Sequence, residues 1–109
     1  MNTAEYTIEN GIIRNPGKFE GEARYAPYFF NLANEGMSDE SFYRNYDDEG
    51  ESDDLVAERF NLNGDDKSLF PELEEYRAVT LKYDSAGFVF VKPHKTITDA
   101  NQCIKDWIG

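Results

Sequence analysis

Residues 78–91, AVTLKYDSAGFVFV, decide the fold of this chain. Two runs rich in β-branched and aromatic residues, 78–83 and 88–91, flank the glycine-containing segment 84–87. Such runs on either side of a short turn signal are typical of an antiparallel β-hairpin. Pro93 follows closely and lacks an N–H group, so we expect it to end the second strand.

A second hairpin is predicted at the start of the chain. Residues 6–9 and 12–14 flank Asn10 and Gly11, the pair best suited to a tight two-residue turn with positive φ. The segment that follows, 18–22, is expected to be an irregular or briefly extended link.

One further strand is predicted at 56–62, where apolar and polar residues alternate in the run VAERFNL. This alternation places Val56, Phe60 and Leu62 on the inward face. The preceding stretch 47–54 is dominated by carboxylates, and we expect it to be an exposed loop.

The remaining segments indicate helices. Pro27 suits a first helical turn, Gly36 suits a left-handed cap, and apolar residues recur between them at helical spacing. These apolar positions are Tyr25, Tyr28, Phe29 and Leu32, and we expect them to make the largest aromatic contribution to the core. A short helical turn, capped by Asp65 or Asp66, is predicted to reach Phe70.

The last helix is predicted from an apolar stripe near the end of the sequence. Thr98 is the expected N-cap, and Asp99 favours the first turn of a helix. The stripe consists of Ala100, Cys103, Ile104, Trp107 and Ile108.

Together these elements predict one α+β domain over residues 1–109, with an antiparallel sheet of about four or five strands and two or three short helices packed on it. An apolar share of 39% and an aromatic share of 15% are enough to form a core, so a folded domain is favoured over disorder. The acidic segment 38–66 is expected to be partly loop.

Charge is the strongest functional signal. Eleven basic and 22 acidic residues give a formal net charge of −11, and segment 38–66 holds eleven of those acids against only Arg44 and Arg59. Such a surface repels nucleic acid and anionic lipid, and it is steered toward a basic protein. We therefore expect no direct nucleic-acid binding and no membrane association.

The residue inventory also bears on compartment. A single cysteine excludes an internal disulfide, and no apolar run approaches the ~20 residues of a membrane helix. The first five residues show no basic or apolar leader. We expect a cytoplasmic protein.

Few residues could perform catalysis or hold a metal. The one histidine, His94, stands beside Lys92 and Lys95 and is interpreted as a surface residue in a small basic patch. Cys103 lies on the predicted apolar stripe and is interpreted as a buried structural thiol. We expect no cofactor and no enzymatic activity, with a small carboxylate-dependent hydrolase kept as an alternative.

Metal sites are constrained by the same inventory. One cysteine and one histidine cannot supply a four-ligand structural zinc site. If Gly50 is taken as position 6 of an EF-hand loop, the first ligand falls on Asn45 and the bidentate acid on Val56, so the register fails. A loose surface calcium site stays open.

The leading functional hypothesis is mimicry of nucleic acid by ordered carboxylates. Alternate residues of a strand repeat at about 6.6 Å, close to the spacing of successive phosphates along one DNA strand. The candidate partner-binding residues are Asp39, Glu40, Asp47, Asp48, Glu49, Glu51, Asp53, Asp54, Asp65 and Asp66, with Phe42, Tyr43 and Tyr46 interleaved. The competing interpretations are a solvated acidic loop and aromatic residues that belong to the core.

Two stretches carry a resemblance. Residues 15–22, NPGKFEGE, followed by 25–30, YAPYFF, resemble small acidic proteins carried by phages and plasmids. That resemblance implies an inhibitor of host defence, of the anti-restriction or anti-CRISPR kind, that acts in the host cytoplasm on a nuclease or CRISPR-type effector.

A second hypothesis is an accessory interaction module that docks through an aromatic patch. Tyr25, Tyr28, Phe29 and Phe30 would form that patch, and the charge would be incidental. The sequence leaves open the target, the oligomeric state and whether the acids share one face.

Overall fold

The computed structural model describes residues 7–9, 12–14, 18–20, 24–45, 53–84 and 88–109. Its first two strands, β1 (Thr7–Glu9) and β2 (Ile12–Arg14), form a separate antiparallel pair in which Glu9 lies opposite Ile12. This pairing confirms the predicted opening hairpin. The predicted turn at Asn10 and Gly11 lies outside the described residues.

The main sheet has five strands in the order β3-β7-β6-β5-β4. The strands are β3 (Lys18–Glu20), β4 (Glu40–Asn45), β5 (Asp53–Asn61), β6 (Ala78–Tyr83) and β7 (Phe88–His94). Strands β4 to β7 pair antiparallel, whereas β3 runs parallel to β7. The predicted α+β class, with an antiparallel sheet of about four or five strands, is confirmed.

Three helices are described in the same parts of the chain. They are α1 (Ala26–Asn34), α2 (Gly64–Leu69) and α3 (Ile97–Ile108), with a 3-10 turn at Pro71–Leu73 after α2. Gly36 follows α1 with φ +72°, the left-handed conformation that favours glycine, as the sequence predicts. None of these helices is long and apolar enough to cross a membrane.

Helix α1 and its N-cap residue Tyr25 make the largest aromatic contribution to the core, as predicted. Phe29 and Phe30 are fully buried, and the Phe29 ring lies 5.4 Å from the ring of Phe60 on β5. Tyr25 packs edge-on against both Phe29 and Phe70. Aromatic pairs in these orientations add to the stabilisation that burial alone provides.

The sheet lies between α1 and α3. Neighbouring residues on a strand point to opposite faces, and on β5 Phe60 contacts α1 while the Arg59 guanidinium donates to the Asn101 side chain on α3. On the α3 side the buried residues are Ala100 and Ile104 of the helix. The sheet therefore has an aromatic face under α1 and a smaller, more polar face under α3.

Several predicted boundaries are wrong for reasons that the structure makes clear. Asn63 caps α2, because its side chain accepts from the Asp66 backbone N–H while Asp66 accepts from the Asn63 N–H. Neither Asp65 nor Asp66 is the cap. Thr96, and not Thr98, caps α3 by accepting from the Asp99 N–H.

Two strands extend further than the sequence predicts. Asp53 and Asp54 belong to β5 and not to a loop, because they pair with Asn45 and Arg44 of the unpredicted strand β4. Pro93 lies inside β7 and does not end it. The His94 carbonyl accepts from the Arg77 N–H toward β6, so the adjacent Pro93 nitrogen faces the other side, where β3 pairs only as far as Phe90.

Candidate functional site

The main acidic feature is the hairpin at the free edge of the sheet. We call β4, β5 and the intervening residues 46–52 the acidic hairpin. Among the strands that the structure describes, β4 has a neighbour on one side only, and its last two residues, Arg44 and Asn45, pair with Asp54 and Asp53. The two strands are therefore joined at this end of the pair by residues 46–52, which lie outside the described residues, and the run 47–54 contains six carboxylates in the sequence.

Two candidate acids lie at the opposite end of the acidic hairpin. Asp39 is exposed, and its Oδ2 accepts from the Asn61 N–H at 2.7 Å. Glu40 is also exposed, and its carboxylate lies 2.8 Å from the Arg59 guanidinium. Glu40 thus has a cationic partner, whereas the contact of Asp39 is with a backbone N–H group.

The remaining candidate acids divide into four groups. Asp54 and Asp65 are exposed on the surface. Asp66 is buried, because its carboxylate accepts from the Tyr28 hydroxyl at 2.8 Å as well as from the Asn63 N–H. Four acids lie outside the described residues: Asp47, Asp48, Glu49 and Glu51. For Asp53 the structure describes the backbone, in β5, but not the side chain.

Of the two candidate aromatic residues that the structure describes, Tyr43 is the one on the surface. Its side chain is 56% exposed, at the edge of the sheet. Phe42 is half-buried, and Tyr46 lies outside the described residues. Tyr43 is therefore available as a contact residue between the two acidic ends of the hairpin.

A polar hollow of about 420 Å³ adjoins Tyr43, between β4 and the end of α1. We call it the acidic hollow, because Asp39, Glu40 and Glu58 line it and no basic residue among the described ones does. Glu58 is the functional candidate that the sequence did not indicate. It lies between Val56 and Phe60 on the inward face of the predicted strand, but the prediction named only the apolar residues of that face.

Glu58 is buried at the base of the acidic hollow and is hydrogen-bonded. Its carboxylate accepts from the Tyr83 hydroxyl and from the Ser41 hydroxyl, the latter at 3.5 Å. Burial, followed by the Glu58 charge, raises the pKa of the Tyr83 phenol well above its usual value. The phenol therefore stays protonated and remains a donor to Glu58.

The second feature is a groove of about 590 Å³ between β7 and α3, on the other face of the sheet. We call it the basic groove, because three of its lining residues are lysines. Its lining residues are Tyr76, Lys82, Lys92, Pro93, His94, Lys95, Asp99, Gln102, Cys103, Asp106 and Trp107.

Two residues of the basic groove differ from the sequence interpretation. His94 is not a surface residue but is only 7% exposed, since α3 covers the face of β7 on which it lies, and its Nε2 is 2.9 Å from the Thr80 hydroxyl. Burial lowers the His94 pKa most, and the charges of Lys92 and Lys82 lower it further. The Asp99 carboxylate raises it by a smaller amount. Cys103 is half-buried and lines the groove instead of being fully enclosed.

The aromatic patch considered as a docking surface does not lie on the surface. Tyr25, Phe29 and Phe30 are buried, and Tyr28 is half-buried with its hydroxyl bonded to Asp66. These residues belong to the core under α1, so they do not form the exposed patch that the docking hypothesis assumed. Across the described ranges, no group of three or more acidic, histidine or cysteine side chains is arranged to hold a metal ion.

Comparison with known proteins adds no information about function, so the evidence about function comes from the acidic hairpin and the two cavities. No protein-family model, no curated protein and no solved structure matches the chain. The resemblance of 15–22 and 25–30 to small phage and plasmid proteins stays a prediction.

Proposed function

We propose that the protein is a non-catalytic inhibitor that binds a nucleic-acid-binding protein, such as a defence nuclease or a CRISPR-type effector, through the acidic hairpin. The observation that supports this most is the pairing of Arg44 with Asp54 and of Asn45 with Asp53. This register brings both ends of the most acidic stretch in the chain to one end of the free edge strand. A basic groove built for DNA or RNA is the complementary surface.

The spacing of the fixed acids suits this partner. Glu40 and Asp54 lie at opposite ends of the β4–β5 ladder, because Glu40 pairs with Arg59 and Asp54 with Arg44. Along the strand direction, Glu40 and Asp54 are four residues apart, which corresponds to about 13 Å. This distance is roughly two phosphate steps along one DNA strand.

The two arginines of the hairpin do not oppose the approach of a basic partner on the hollow side. The Arg59 guanidinium is bonded to Glu40, Asn61 and Asn101. The Arg44 guanidinium donates to the carbonyls of Trp107 and Ile108 at the end of α3. Both guanidinium groups are therefore held toward α3, on the face that their cross-strand partners Glu40 and Asp54 also occupy. The opposite side presents Tyr43 and the acidic hollow.

An apolar mode of docking is the second candidate, and one observation favours it. Met37 and Tyr43 are 60% and 56% exposed, and both belong to or adjoin residues that line the acidic hollow. Aromatic and methionine side chains are enriched in the cores of protein interfaces. In this mode the contact would be centred on these two side chains, and the acids would be peripheral.

Inhibition of DNA cleavage by a panel of restriction and RNA-guided nucleases tests the proposal. The test variant reverses four charges of the acidic hairpin, with Asp47, Asp48, Asp53 and Asp54 each replaced by lysine. We expect the wild-type chain to inhibit at least one nuclease and the variant to lose at least about tenfold in potency, because each reversed charge would repel the basic groove.

The matched control carries the same change of net charge at exposed acids elsewhere. It replaces Glu35, Glu74, Glu75 and Asp106 by lysine; all four are exposed. We expect the control to retain most of its potency and both variants to keep the far-ultraviolet circular dichroism of the wild type. Equal losses in the two variants would show that net charge, and not the acidic hairpin, is responsible. Failure of the wild type to inhibit any nuclease of the panel would contradict the proposal.

Salt separates the two docking modes. Attraction between exposed charges is screened as ionic strength rises, whereas apolar contacts change little. Inhibition that weakens at least about tenfold between roughly 50 and 200 mM salt supports the acidic hairpin. Inhibition that is constant with salt and is lost on Met37→Ser with Tyr43→Ser supports apolar docking.

A further inference from the structure

The basic groove gathers positive charge on a chain whose formal net charge is −11. Three of its lining residues are Lys82, Lys92 and Lys95, and within the described ranges no carboxylate forms an ion pair with any of them. Lysines that line one concave surface without a carboxylate partner are suited to bind an anion, since the ammonium group is a compact charge with three donors. The groove is therefore a candidate anion site on the face opposite the acidic hollow.

The floor of the groove is built by β6 and β7. Lys92 and His94 are alternate residues of β7, so they lie on one face about 6.6 Å apart along the strand. Thr80 of β6 pairs with Lys92 and holds the His94 ring through Nε2. This arrangement fixes the imidazole on the face of the sheet from which the Lys92 side chain also projects.

One nitrogen of the His94 ring is accessible from the groove. The Nδ1 atom has no hydrogen-bond partner among the described residues. Every buried side-chain nitrogen and oxygen in those ranges does have a partner, so Nδ1 is not fully buried. Since His94 is otherwise enclosed, Nδ1 must reach solvent through the opening that the residue lines. The floor thus offers a hydrogen-bonding group next to the lysines.

The wall formed by α3 has a different character. Asp99, Gln102 and Asp106 recur at spacings of three and four residues and form one stripe along the helix. The Gln102 amide donates to Asp106 at 2.9 Å, which orients the two polar groups. Carboxylate and amide oxygens accept from hydroxyl groups and repel a second anion, so a ligand here has one anionic end and one hydroxylated end.

Aromatic side chains complete the lining. Trp107 is held in place by the Phe90 ring at 5.4 Å, by a hydrogen bond from its Nε1 to the Tyr83 carbonyl, and by the Lys82 ammonium group 4.8 Å from its centroid. Tyr76 is the other aromatic residue of the groove. The volume of about 590 Å³ lies within the usual range for small-molecule sites.

We propose that the basic groove binds a small organic phosphate that carries hydroxyl groups, either a sugar phosphate or a nucleoside monophosphate. Lys92 and Lys95 hold the phosphate, His94 Nδ1 contacts the ligand at the floor, and Asp99 and Gln102 accept from its hydroxyl groups. The basic groove is separate from the acidic hollow, because the two cavities lie on opposite faces of the sheet and share no lining residue.

Trp107 provides a direct readout, since it is the one tryptophan in the sequence and lines the groove. We would titrate the full chain with ribose 5-phosphate, with adenosine monophosphate and with inorganic phosphate, and follow Trp107 fluorescence. We expect a saturable change with the two organic phosphates and at least about tenfold weaker binding of inorganic phosphate, which cannot use the α3 wall. Tighter binding of the nucleotide than of ribose 5-phosphate assigns the aromatic residues to a base, and equal binding identifies a sugar phosphate.

Matched lysine variants locate the site. Lys92→Gln with Lys95→Gln should weaken binding of ribose 5-phosphate at least about tenfold. Lys67→Gln with Lys105→Gln makes the same change of charge outside the groove and should leave the affinity within about twofold of the wild type. Three results would each overturn the proposal: no saturable signal with either organic phosphate, equal losses in the two double variants, or inorganic phosphate that binds as tightly as both organic ligands.

Discussion

Two adjacent aspartates allow a sharp test of how the structure divides the acids into internal and surface groups. Asp65 is exposed, whereas Asp66 is 5% exposed and accepts hydrogen bonds from the Tyr28 hydroxyl at 2.8 Å and from the Asn63 N–H at 3.1 Å. We predict that Asp66→Ala destabilises the fold and that Asp65→Asn does not. Both changes remove one negative charge, so the pair controls for net charge.

The expected cost follows from those two contacts. A hydrogen bond to a charged group contributes about 1.5–3 kcal/mol when it is well enclosed. Because Tyr28 is half-buried and Asn63 is exposed, water can replace part of each contact, and we reduce each to about 1 kcal/mol. Asp66→Ala should therefore lower the free energy of unfolding by about 2 kcal/mol, and Asp65→Asn should change it by less than about 0.5 kcal/mol.

Urea denaturation followed by circular dichroism measures both variants. A third variant, Tyr28→Phe, removes one of the two contacts and should cost about 1 kcal/mol. Combined with Asp66→Ala, it should cost less than the sum of the two single changes, because both variants remove the same hydrogen bond. Equal stabilities of the Asp65 and Asp66 variants, or strict additivity with Tyr28→Phe, would refute the assignment of Asp66 to the interior.

Three further predictions concern titration and backbone conformation. Burial holds the His94 pKa below its usual 6.5, so at mildly acidic pH the unfolded chain takes up a proton that the folded chain does not. Wild-type stability should therefore fall as the pH drops below about 6.5, and this loss should be smaller in His94→Gln. Burial raises the pKa of Tyr25 to about 12 and that of Tyr83 well above 10. The stabilisation from these two buried phenols should therefore be fully present below pH 10 and decline above it. Ultraviolet titration should show both phenols ionising only as the chain unfolds. Gly36→Ala should lower the free energy of unfolding by about 1 kcal/mol, because φ at this position is +72°, although the added Cβ meets no atom within 4 Å. Gly64→Ala lacks that backbone constraint and should change the free energy of unfolding by less than about 0.5 kcal/mol. Thermal or urea unfolding measures both variants.

Local pattern was sufficient to predict the class of the fold. The hairpin of β6 and β7, the aromatic helix α1 and the stripe of α3 all appear as periodic runs with turn or cap residues beside them. Strand β4 was missed, because its run ESFYRN carries adjacent aromatic residues and is flanked by acids instead of alternating cleanly. Its register with β5 also shifts between Phe42 and Tyr43, a bulge that no local rule predicts.

The candidate sites depended more on tertiary packing. His94 has polar neighbours in the sequence, and its burial results from the placement of α3 over β7, which is a long-range effect. Asp66 had a readable signal, since Asn63 three residues earlier completes a reciprocal cap. The direction in which Arg44 and Arg59 point follows from the β4–β5 register, so the side of the hairpin that is free of basic residues could not be predicted from charge counts.

The central claim, that the acidic hairpin occupies a surface built for nucleic acid, is tested most directly by displacement of DNA. A nuclease that the chain inhibits is loaded with a fluorescent duplex, and the chain is then added while fluorescence anisotropy reports the bound DNA. We predict that the wild-type chain releases the duplex completely near one equivalent, and that lysine at positions 47, 48, 53 and 54 prevents release. A ternary complex in which the duplex stays bound while the chain is also bound would contradict the claim.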